Sequence, residues 1–285
     1  MHLTHQIQHL LTRQLQDWPL AMTNYATLSL TQTKHLSINN FTFTIQFNPT
    51  RLTSSSAQTD PQTIQNRKCF LCPHHLPPEQ EILPYTAQSL HQYAILCNPY
   101  PIFPRHLTIP DRNHTPQLIS GRIDDMLELA AQLSDFVLFY NGPQCGASAP
   151  DHFHFQAGNK GFLPIQATVE SGISLAHYPV SAFLFESEEA SEVAASFHQF
   201  LTTFQEPEPM LNLLCWKTGS KYYLIVFPRK RHRPTQFYAQ GDDNILLSPG
   251  AVDLGGVLIT PLEKDFQKLS ISDVTDIFDQ ITNHL

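Results

Sequence analysis

Apolar residues at helical spacing predict three amphipathic helices. Residues 5–20 carry the first apolar stripe, and Pro19 is expected to end that helix because proline cannot donate the next intrahelical hydrogen bond. Residues 120–136 carry the second stripe, with Ser120 as the candidate N-cap. Residues 188–204 predict the third helix, which would pack on the second half of the chain.

Alternation of apolar and polar residues predicts strands between these helices. Residues 36–47 predict a hairpin with Asn39 and Asn40 at its turn. Residues 136–140 and 152–157 predict a second hairpin, whose connection is a long loop rich in small residues. This order of strands, helix and central hairpin predicts an α+β half-barrel with an antiparallel sheet.

The alternation is strictest where a histidine pair enters the second strand of that hairpin. Successive side chains of a strand point to opposite faces, so His152, His154 and Gln156 share one face, while Phe153 and Phe155 share the other. The phenylalanine face can be buried while the imidazole face points into a site. A polar strand face without chemistry is the alternative for the histidine pair taken alone.

The loop before the pair, residues 142–148, contains two glycines and several small residues. Glycine permits backbone conformations that bring N–H groups close to an anion, so the loop can hold a phosphate. A nucleophilic imidazole next to a phosphate-binding loop indicates phosphorus chemistry.

The stretch 141–156 resembles the active-site motif of the histidine triad superfamily in its transferase branch, which reads His-x-His-x-Gln. Members include galactose-1-phosphate uridylyltransferase, diadenosine tetraphosphate phosphorylase and GDP-hexose phosphorylase. The run His-Phe-His-Phe-Gln-Ala is most similar to the last, and Gly-Pro-x-x-Gly-Ala-Ser to the loop of the second. The family usually has three steps between the loop serine and the first histidine; here Ser148 and His152 are four apart, with Asp151 as the extra residue.

This resemblance implies roles for five residues. His154 would attack the α-phosphorus of a nucleotide and form a covalent nucleotidyl-histidine, since neutral imidazole is nucleophilic. Gln156 would donate a hydrogen bond to a non-bridging oxygen. Asn141, Ser148 and backbone N–H groups around Gly146 would stabilise the charge on the phosphate oxygens.

The third position of the motif restricts the leaving group. A glutamine amide cannot act as a general acid, whereas the third histidine of the hydrolase branch could protonate a leaving group. Gln156 therefore suits a leaving group that is already stable as an anion, such as a sugar 1-phosphate or a nucleoside polyphosphate. We expect an NDP-sugar or dinucleoside polyphosphate as donor, and phosphate or a sugar phosphate as acceptor.

Asn48 follows the first hairpin, where family members place an asparagine that contacts the nucleotide, so the resemblance implies a substrate contact there. An asparagine that merely closes a strand is the alternative. The next segment, residues 52–66, is rich in Ser, Thr and Gln and predicts a surface loop.

Cys69 and Cys72 form a Cys-x-x-Cys pair, a spacing that lets both sulfurs reach one zinc ion. A redox disulfide is the alternative, although the flanking pattern is not thioredoxin-like. In galactose-1-phosphate uridylyltransferase, zinc is held by such a pair and two histidines, and the resemblance implies His114 and His152 as their counterparts here. The competing ligands are His74, His75 and His106.

The second half of the chain repeats the first weakly. Residues 213–234 parallel residues 95–116, with strands, a Phe-Pro-Arg sequence and a later histidine near a proline. Such self-similarity predicts two histidine-triad-like half-barrel units that form an intramolecular pseudo-dimer, with a catalytic unit in residues 1–175 and a degenerate unit in residues 176–285. Residues 247–260 would close the pocket or form a structural turn.

Composition narrows the class of protein. The 285-residue chain is 41% hydrophobic, carries a formal net charge of −8 and has no long basic stretch, so nucleic acid is not an expected partner. The basic cluster at residues 229–233 is expected to be a solvated face. No signal peptide or membrane-length apolar run is found, and the odd count of five cysteines favours a reducing cytoplasm.

The sequence thus predicts a cytoplasmic nucleotidyltransferase or phosphorylase, a monomer or homodimer, with structural zinc. A nucleotide hydrolase of the same superfamily is the second hypothesis. A catalytically inactive, zinc-stabilised nucleotide-binding protein is the third, because Asp151 could displace His154 from the phosphate loop.

Overall fold

The computed structural model describes residues 3–206 and 208–282. The helices are α1 Leu3–Asp17, α2 Pro19–Leu28, α3 Leu52–Ser55, α4 Pro61–Asn66, α5 Ile123–Gln132, α6 Pro164–Glu170, α7 Ala190–Leu201, α8 Thr235–Tyr238, α9 Ala251–Leu254, α10 Glu263–Lys268 and α11 Ile271–Ile281. The strands are β1 Gln32–Ile38, β2 Phe41–Phe47, β3 Leu83–Thr86, β4 Gln92–Cys97, β5 His106–Pro110, β6 Phe136–Asn141, β7 His154–Asn159, β8 Phe183–Ser187, β9 Leu211–Thr218, β10 Lys221–Pro228 and β11 Val257–Thr260.

The predicted helices are present, with differences at their ends. Helix α1 buries the expected stripe, including Ile7, Leu10 and Leu11. It stops before Trp18, and Pro19 then begins α2, where a proline at the first helical position loses no hydrogen bond. Helix α5 starts later than expected, after Arg122 instead of Ser120.

The first hairpin has the predicted turn. Asn39 and Asn40 adopt left-handed conformations, with φ of 52° and 69°, as a two-residue type I′ turn requires. Strand β11 adds to the hairpin parallel to β2, so a C-terminal strand completes an N-terminal sheet. Residues 52–66, expected as a loop, contain the short helices α3 and α4.

The site lies on an eight-stranded sheet that runs through both halves of the chain. Its strand order is β3-β4-β5-β7-β6-β9-β10-β8. Strand β7 is central to the first half, antiparallel to β5 on one side and to β6 on the other. Antiparallel pairing of β6 with β9, in which Leu138 faces Cys215, joins the two halves.

The element order shows where the internal repeat lies. The series β5, α5, β6, β7 recurs as β8, α7, β9, β10, and the two series meet at the β6–β9 pair. The counterpart of β6–β7 is therefore β9–β10, so the sequence comparison of residues 95–116 with 213–234 placed the repeat wrongly. Strand β10 has no histidine where β7 has His154, and its hairpin turns tightly at Gly219 instead of carrying a long loop.

The large sheet separates two cores. Helices α1, α5 and α7 cover one face, over Phe153, Phe155 and Leu138. The small sheet β1-β2-β11 and helix α11 cover the other, over Phe139 and Trp216. The fold is thus α+β with a large antiparallel sheet, as expected, and a small sheet that is mixed because β11 runs parallel to β2. Among the described residues, none of the helices is long and apolar enough to cross a bilayer.

Candidate active site

The segment 153–156 separates aromatic from polar side chains, as its alternation predicted. Phe153 and Phe155 are fully buried in the core. His154 and Gln156 instead line a cavity of about 540 Å³. Because neighbouring strands pair with β7 along both of its edges, the direction of these side chains is set by the sheet.

The imidazole of His154 keeps one nitrogen free. Its Nδ1 lies 2.9 Å from the carbonyl oxygen of His152, which can only accept, so Nδ1 carries the hydrogen and Nε2 keeps its lone pair. Burial lowers the pKa of His154 to about 4, which keeps the ring neutral near pH 7. A neutral imidazole with an unprotonated nitrogen in a cavity has the chemistry of a nucleophile.

A buried glutamine joins the two strands at the site. Gln117 donates from its amide nitrogen to the carbonyl oxygens of Asn141, at 2.9 Å, and His154, at 3.0 Å. Its Oε1 accepts from the backbone N–H of His154 at 2.6 Å. No pattern in the sequence marked Gln117, because it lies in an irregular segment far from the motif it holds.

The loop of residues 142–153 requires glycine at two positions. A side chain at Gly142 would place its Cβ 2.9 Å from the carbonyl oxygen of Leu211. Gly146 has a φ of +93°, and a Cβ there would lie 3.0 Å from the carbonyl oxygen of Pro249. The loop therefore packs directly against backbone from the second half of the chain.

Polar groups of the second half also hold this loop. Asn212 donates to Asn141 Oδ1 and to the carbonyl oxygen of Cys145, both at 2.7 Å, and its own Oδ1 accepts from Arg229 at 2.6 Å. The N–H of Ala251 also donates to Asn141 Oδ1, at 2.8 Å. The side-chain oxygen of Asn141 is thus bound within the protein, which leaves its amide nitrogen for a ligand in the cavity.

The amide of Gln156 has a defined orientation. His106 Nε2 lies 3.2 Å from Gln156 Oε1, and Asn98 Nδ2 lies 3.5 Å from the same oxygen. His106 Nδ1 accepts from the N–H of Ile102 at 3.1 Å. Burial, with the charge of Arg51 as a smaller cause, lowers the pKa of His106 to about 3.

The side chain of the extra loop residue, Asp151, contacts Arg67 and lies near His114. Asp151 Oδ1 accepts from Arg67 at 2.6 Å, and its other oxygen lies 3.7 Å from His114 Nε2. Ser148 and His154 both line the cavity. Asp151 therefore does not separate His154 from the phosphate loop, which removes the observation that favoured an inactive binding protein.

The cavity is positively charged in a protein of negative net charge. Arg51, Arg67 and Arg233 line it, and Asp253 is the one carboxylate among its described lining residues. Burial raises the pKa of Asp253 to about 6, which is still below 7, so at neutral pH its carboxylate offsets one of the arginine charges. This arrangement attracts anions such as phosphates. The expectation of a solvated basic face is wrong for Arg233, which lines the cavity, and for Arg229, which is buried.

Four side chains converge on a candidate metal centre next to this cavity. The ligand atoms of Cys69, Cys72, His114 and His152 lie within 4.8 Å of one another. Cys69 Sγ lies 3.2 Å from His152 Nδ1, and Cys72 Sγ lies 3.2 Å from His114 Nδ1. Such separations fit the edges of a tetrahedron with zinc–sulfur bonds of about 2.3 Å and zinc–nitrogen bonds of about 2.0 Å.

The protonation of these residues fits a metal as well. His152 Nε2 donates to the carbonyl oxygen of Asp111 at 2.7 Å, so the lone pair of Nδ1 faces the sulfurs, as in metal-bound histidines. Burial and the neighbouring Cys69 raise the pKa of the Cys72 thiol to about 11, and a dication would reverse that effect.

The other histidines considered as zinc ligands either lie away from this four-residue cluster or belong to a smaller cluster. His106 faces Gln156. His74 and His75 form a group of three with Cys72, in which His75 Nδ1 already lies 3.0 Å from the carbonyl oxygen of Cys69.

Asn48 is not part of the site. Its side chain is fully buried, and its amide donates to Gln46 and to the carbonyl oxygen of Pro101, both at 3.0 Å. The structure therefore corrects the expected nucleotide contact to the alternative: Asn48 holds the end of β2 against the chain near Pro101. Its position after a strand matches the family pattern, but that position does not show that the side chain points inward.

Two family models match the chain. A domain of unknown function, DUF4922, matches residues 10–159, which is more than half of the chain. The C-terminal domain described as GDPGP1-like matches residues 167–283.

The chain is also similar to a curated protein and to solved structures. Galactose-1-phosphate uridylyltransferase from Bacillus subtilis (strain 168) is 24% identical over 211 residues, which cover 63% of this chain and 41% of that protein. The chain thus spans about two fifths of the length of this relative. Crystal structures of yeast Ap4A phosphorylase Apa2 superpose with a TM-score of 0.61 at 15% identity, covering 92% of this chain and 96% of that one, and with the same score at 16% identity for its complex with Ap4A.

Proposed function

The chain belongs to the DUF4922 family, and from this premise we propose that it is a GDP-hexose phosphorylase-like member of the histidine triad superfamily. It would be a nucleotidyltransferase that acts, by phosphorolysis or transfer, on an NDP-sugar or dinucleoside polyphosphate. The observation that carries the proposal is the free Nε2 of His154 in an arginine-lined cavity beside the glycine-containing loop. The activities named for the uridylyltransferase and the Ap4A phosphorylase agree with this class.

The proposed first step transfers a nucleoside monophosphate to the protein. His154 Nε2 attacks the α-phosphorus, a P–N bond forms, and the bond from phosphorus to the bridging oxygen breaks. The leaving group departs with the electron pair as a sugar 1-phosphate or nucleoside polyphosphate. Because that anion needs no proton, a glutamine can stand at position 156, where a general acid would otherwise be required.

The second step regenerates the imidazole. An oxygen of phosphate or of a sugar phosphate attacks the same phosphorus, and the P–N bond breaks. The entering phosphate occupies the place that the leaving phosphate vacated, so one anion-binding region serves both steps. Arg51 and Arg233, which line the cavity, would provide its positive charge.

Charge on the transferring phosphate would be stabilised by donors at the loop and strand. The cavity is lined by Gly146, Ser148 and Gln156. The amide nitrogen of Asn141 can add a donor, since its oxygen is already bound by Asn212 and Ala251. Removing one such donor typically slows a reaction on the order of 10²-fold.

Cys69, Cys72, His114 and His152 would hold zinc. Bound there, zinc would cross-link the loop of the cysteines to the start of β7 and hold the backbone next to the nucleophile. His154 itself makes no contribution to this ligand set.

The test is intact-protein mass spectrometry after incubation with NDP-sugars and dinucleoside polyphosphates, without acceptor. We expect a mass gain of one nucleoside monophosphate, which would also identify the base. The gain should disappear in His154→Ala and persist in a control, His35→Ala, in the distant first hairpin. An adduct in His154→Ala would remove His154 from this role, and turnover in buffer without phosphate would favour the hydrolase.

A further inference from the structure

Gln156 can serve as a hydrogen-bond donor to phosphate only if its amide is oriented with the nitrogen toward the cavity. A glutamine amide has two faces, an accepting oxygen and a donating nitrogen, and a rotation of 180° exchanges them. The contacts around Gln156 decide between these orientations.

The first fixed point is a backbone group. The N–H of Ile102 points at His106 Nδ1 at 3.1 Å. A backbone N–H can only donate, so Nδ1 must accept and Nε2 of the neutral ring must carry the hydrogen. That hydrogen points at Gln156, 3.2 Å away, where it requires the oxygen.

A second donor reaches the same oxygen independently. The N–H of Tyr100 donates to Asn98 Oδ1 at 2.9 Å, which fixes the Asn98 amide with its nitrogen on the other side. That nitrogen donates to Thr108 Oγ1 at 2.9 Å and lies 3.5 Å from Gln156 Oε1. Two backbone N–H groups thus determine the tautomer of His106 and the orientation of the Asn98 amide, and these two side chains in turn determine the orientation of Gln156.

We propose that His106 and Asn98 are positioning residues that hold the Gln156 amide with its nitrogen toward the cavity, ready to donate to the transferring phosphate. The effect of this orientation on phosphate transfer rests on the proposed function, whereas the orientation of the Gln156 amide does not depend on it. The full burial of His106, which keeps its ring neutral, makes the arrangement independent of pH over the working range.

The orientation also accounts for the choice of residue at 156. A glutamate would accept from His106 equally well, but it would present a negative oxygen to the phosphate. An amide, unlike a carboxylate, can accept from His106 and also donate to the phosphate.

The first measurement needs no substrate. Nitrogen-15 NMR of the histidine side chains, with the His106 signals assigned by their loss in His106→Gln, reports which ring nitrogen carries the hydrogen. We expect a protonated Nε2 and a bare Nδ1 from pH 6 to 8. The opposite tautomer, or a doubly protonated ring at pH 7, would overturn the proposal.

The second measurement is the single-turnover rate of nucleotidyl-protein formation. We expect His106→Leu and Gln156→Ala each to slow this step on the order of 10²-fold. Because both substitutions remove the same donor, the rate of the double variant should stay within about twofold of the rates of the single variants. His106→Gln, which keeps a donor, should stay within about tenfold of the unsubstituted protein. Fully multiplicative effects, or a normal rate in His106→Leu, would contradict the proposal.

A further variant covers a folding failure of His106→Leu. Asn98→Asp keeps the acceptor for Tyr100 but faces Gln156 Oε1 with an oxygen, so it should slow the same step; a normal rate would count against the proposal. If the unsubstituted protein forms no adduct with any donor, the proposed function fails, while the tautomer measurement still decides the orientation.

Discussion

Arg67 and Asp151 lie 2.6 Å apart and join the candidate metal centre to the phosphate loop. Arg67 lies two residues before Cys69, and its guanidinium lies 3.5 Å from the carbonyl oxygen of Ser148. Asp151 is the residue that lengthens this loop relative to the family pattern. The extra residue thus provides the carboxylate for a contact between two parts of the site.

We expect this pair to contribute to stability because both side chains are mostly buried, 19% and 17% exposed. Arg67→Met and Asp151→Asn should each lower the free energy of unfolding by about 1–3 kcal/mol, since each leaves a charged group without its partner. The double variant should lose less than the sum of the two. Urea unfolding of the four proteins measures this coupling.

The matched control is the pair Arg13 and Glu81, which has the same separation of 2.6 Å but is 52% and 37% exposed. Solvent screens that pair, so its coupling should stay below about 1 kcal/mol. Equal coupling in the two pairs would show that the buried position of Arg67 and Asp151 adds nothing.

The parts of this site that the sequence predicted are those set by local periodicity. Alternation alone placed His154 and Gln156 opposite Phe153 and Phe155, because a strand has a period of two residues. The turn at Asn39 followed in the same way from the turn chemistry of asparagine.

The residues that sequence analysis missed act across long separations in the chain. Gln117 binds Asn141 and His154, which lie 24 and 37 residues later, and Asn212 holds a loop 67 residues before it. No periodicity reports such contacts, because they depend on how β6 and β9 pair. The predicted role of Asn48 was wrong for a different reason. Its position in the chain resembles that of a nucleotide contact, but the packing of β2 turns its side chain inward.

Acid should destabilise the protein through His106. Burial lowers the pKa of this ring from 6.5 to about 3, with Arg51 as the second cause, so the unfolded chain binds a proton that the folded chain does not. The stability that depends on the neutral ring is present above pH 6.5 and is lost as pH falls from there toward 3. Measured against pH, the free energy of unfolding should fall by up to about 1.4 kcal/mol per pH unit more steeply than in His106→Gln. Parallel curves for the two proteins would contradict this assignment.

Metal removal should lower stability if the four-residue cluster holds zinc. Elemental analysis is expected to find one zinc per chain, and a chelator should lower the melting temperature, because a structural ion binds the folded chain alone. Cys69→Ser should abolish both the zinc and the chelator effect. Cys97→Ala, a variant of a buried cysteine outside the cluster, should keep both. Zinc retained in Cys69→Ser would indicate the smaller group of Cys72, His74 and His75 instead.

Two glycines, Gly146 in the phosphate loop and Gly161 outside it, form a matched pair for substitution by alanine. Gly146 and Gly161 both have left-handed backbones, with φ of +93° and +80°, so alanine is strained at either position. At Gly161 nothing lies within 4 Å of the added Cβ, whereas at Gly146 the Cβ would lie 3.0 Å from the carbonyl oxygen of Pro249 and 3.1 Å from the Cα of Gly250.

Both alanine variants should therefore lose about 1–2 kcal/mol of stability from backbone strain, but only Gly146→Ala should also move the loop. Because the groups opposite Gly146 are backbone atoms of the second half, they cannot rotate away, and the loop must shift relative to His154. We expect adduct formation to slow at least tenfold in Gly146→Ala, since small displacements of reacting groups cost large rate factors, and to remain near normal in Gly161→Ala. Equal rates in the two variants, at equal loss of stability, would mean that the position of the loop at Gly146 does not control the transfer.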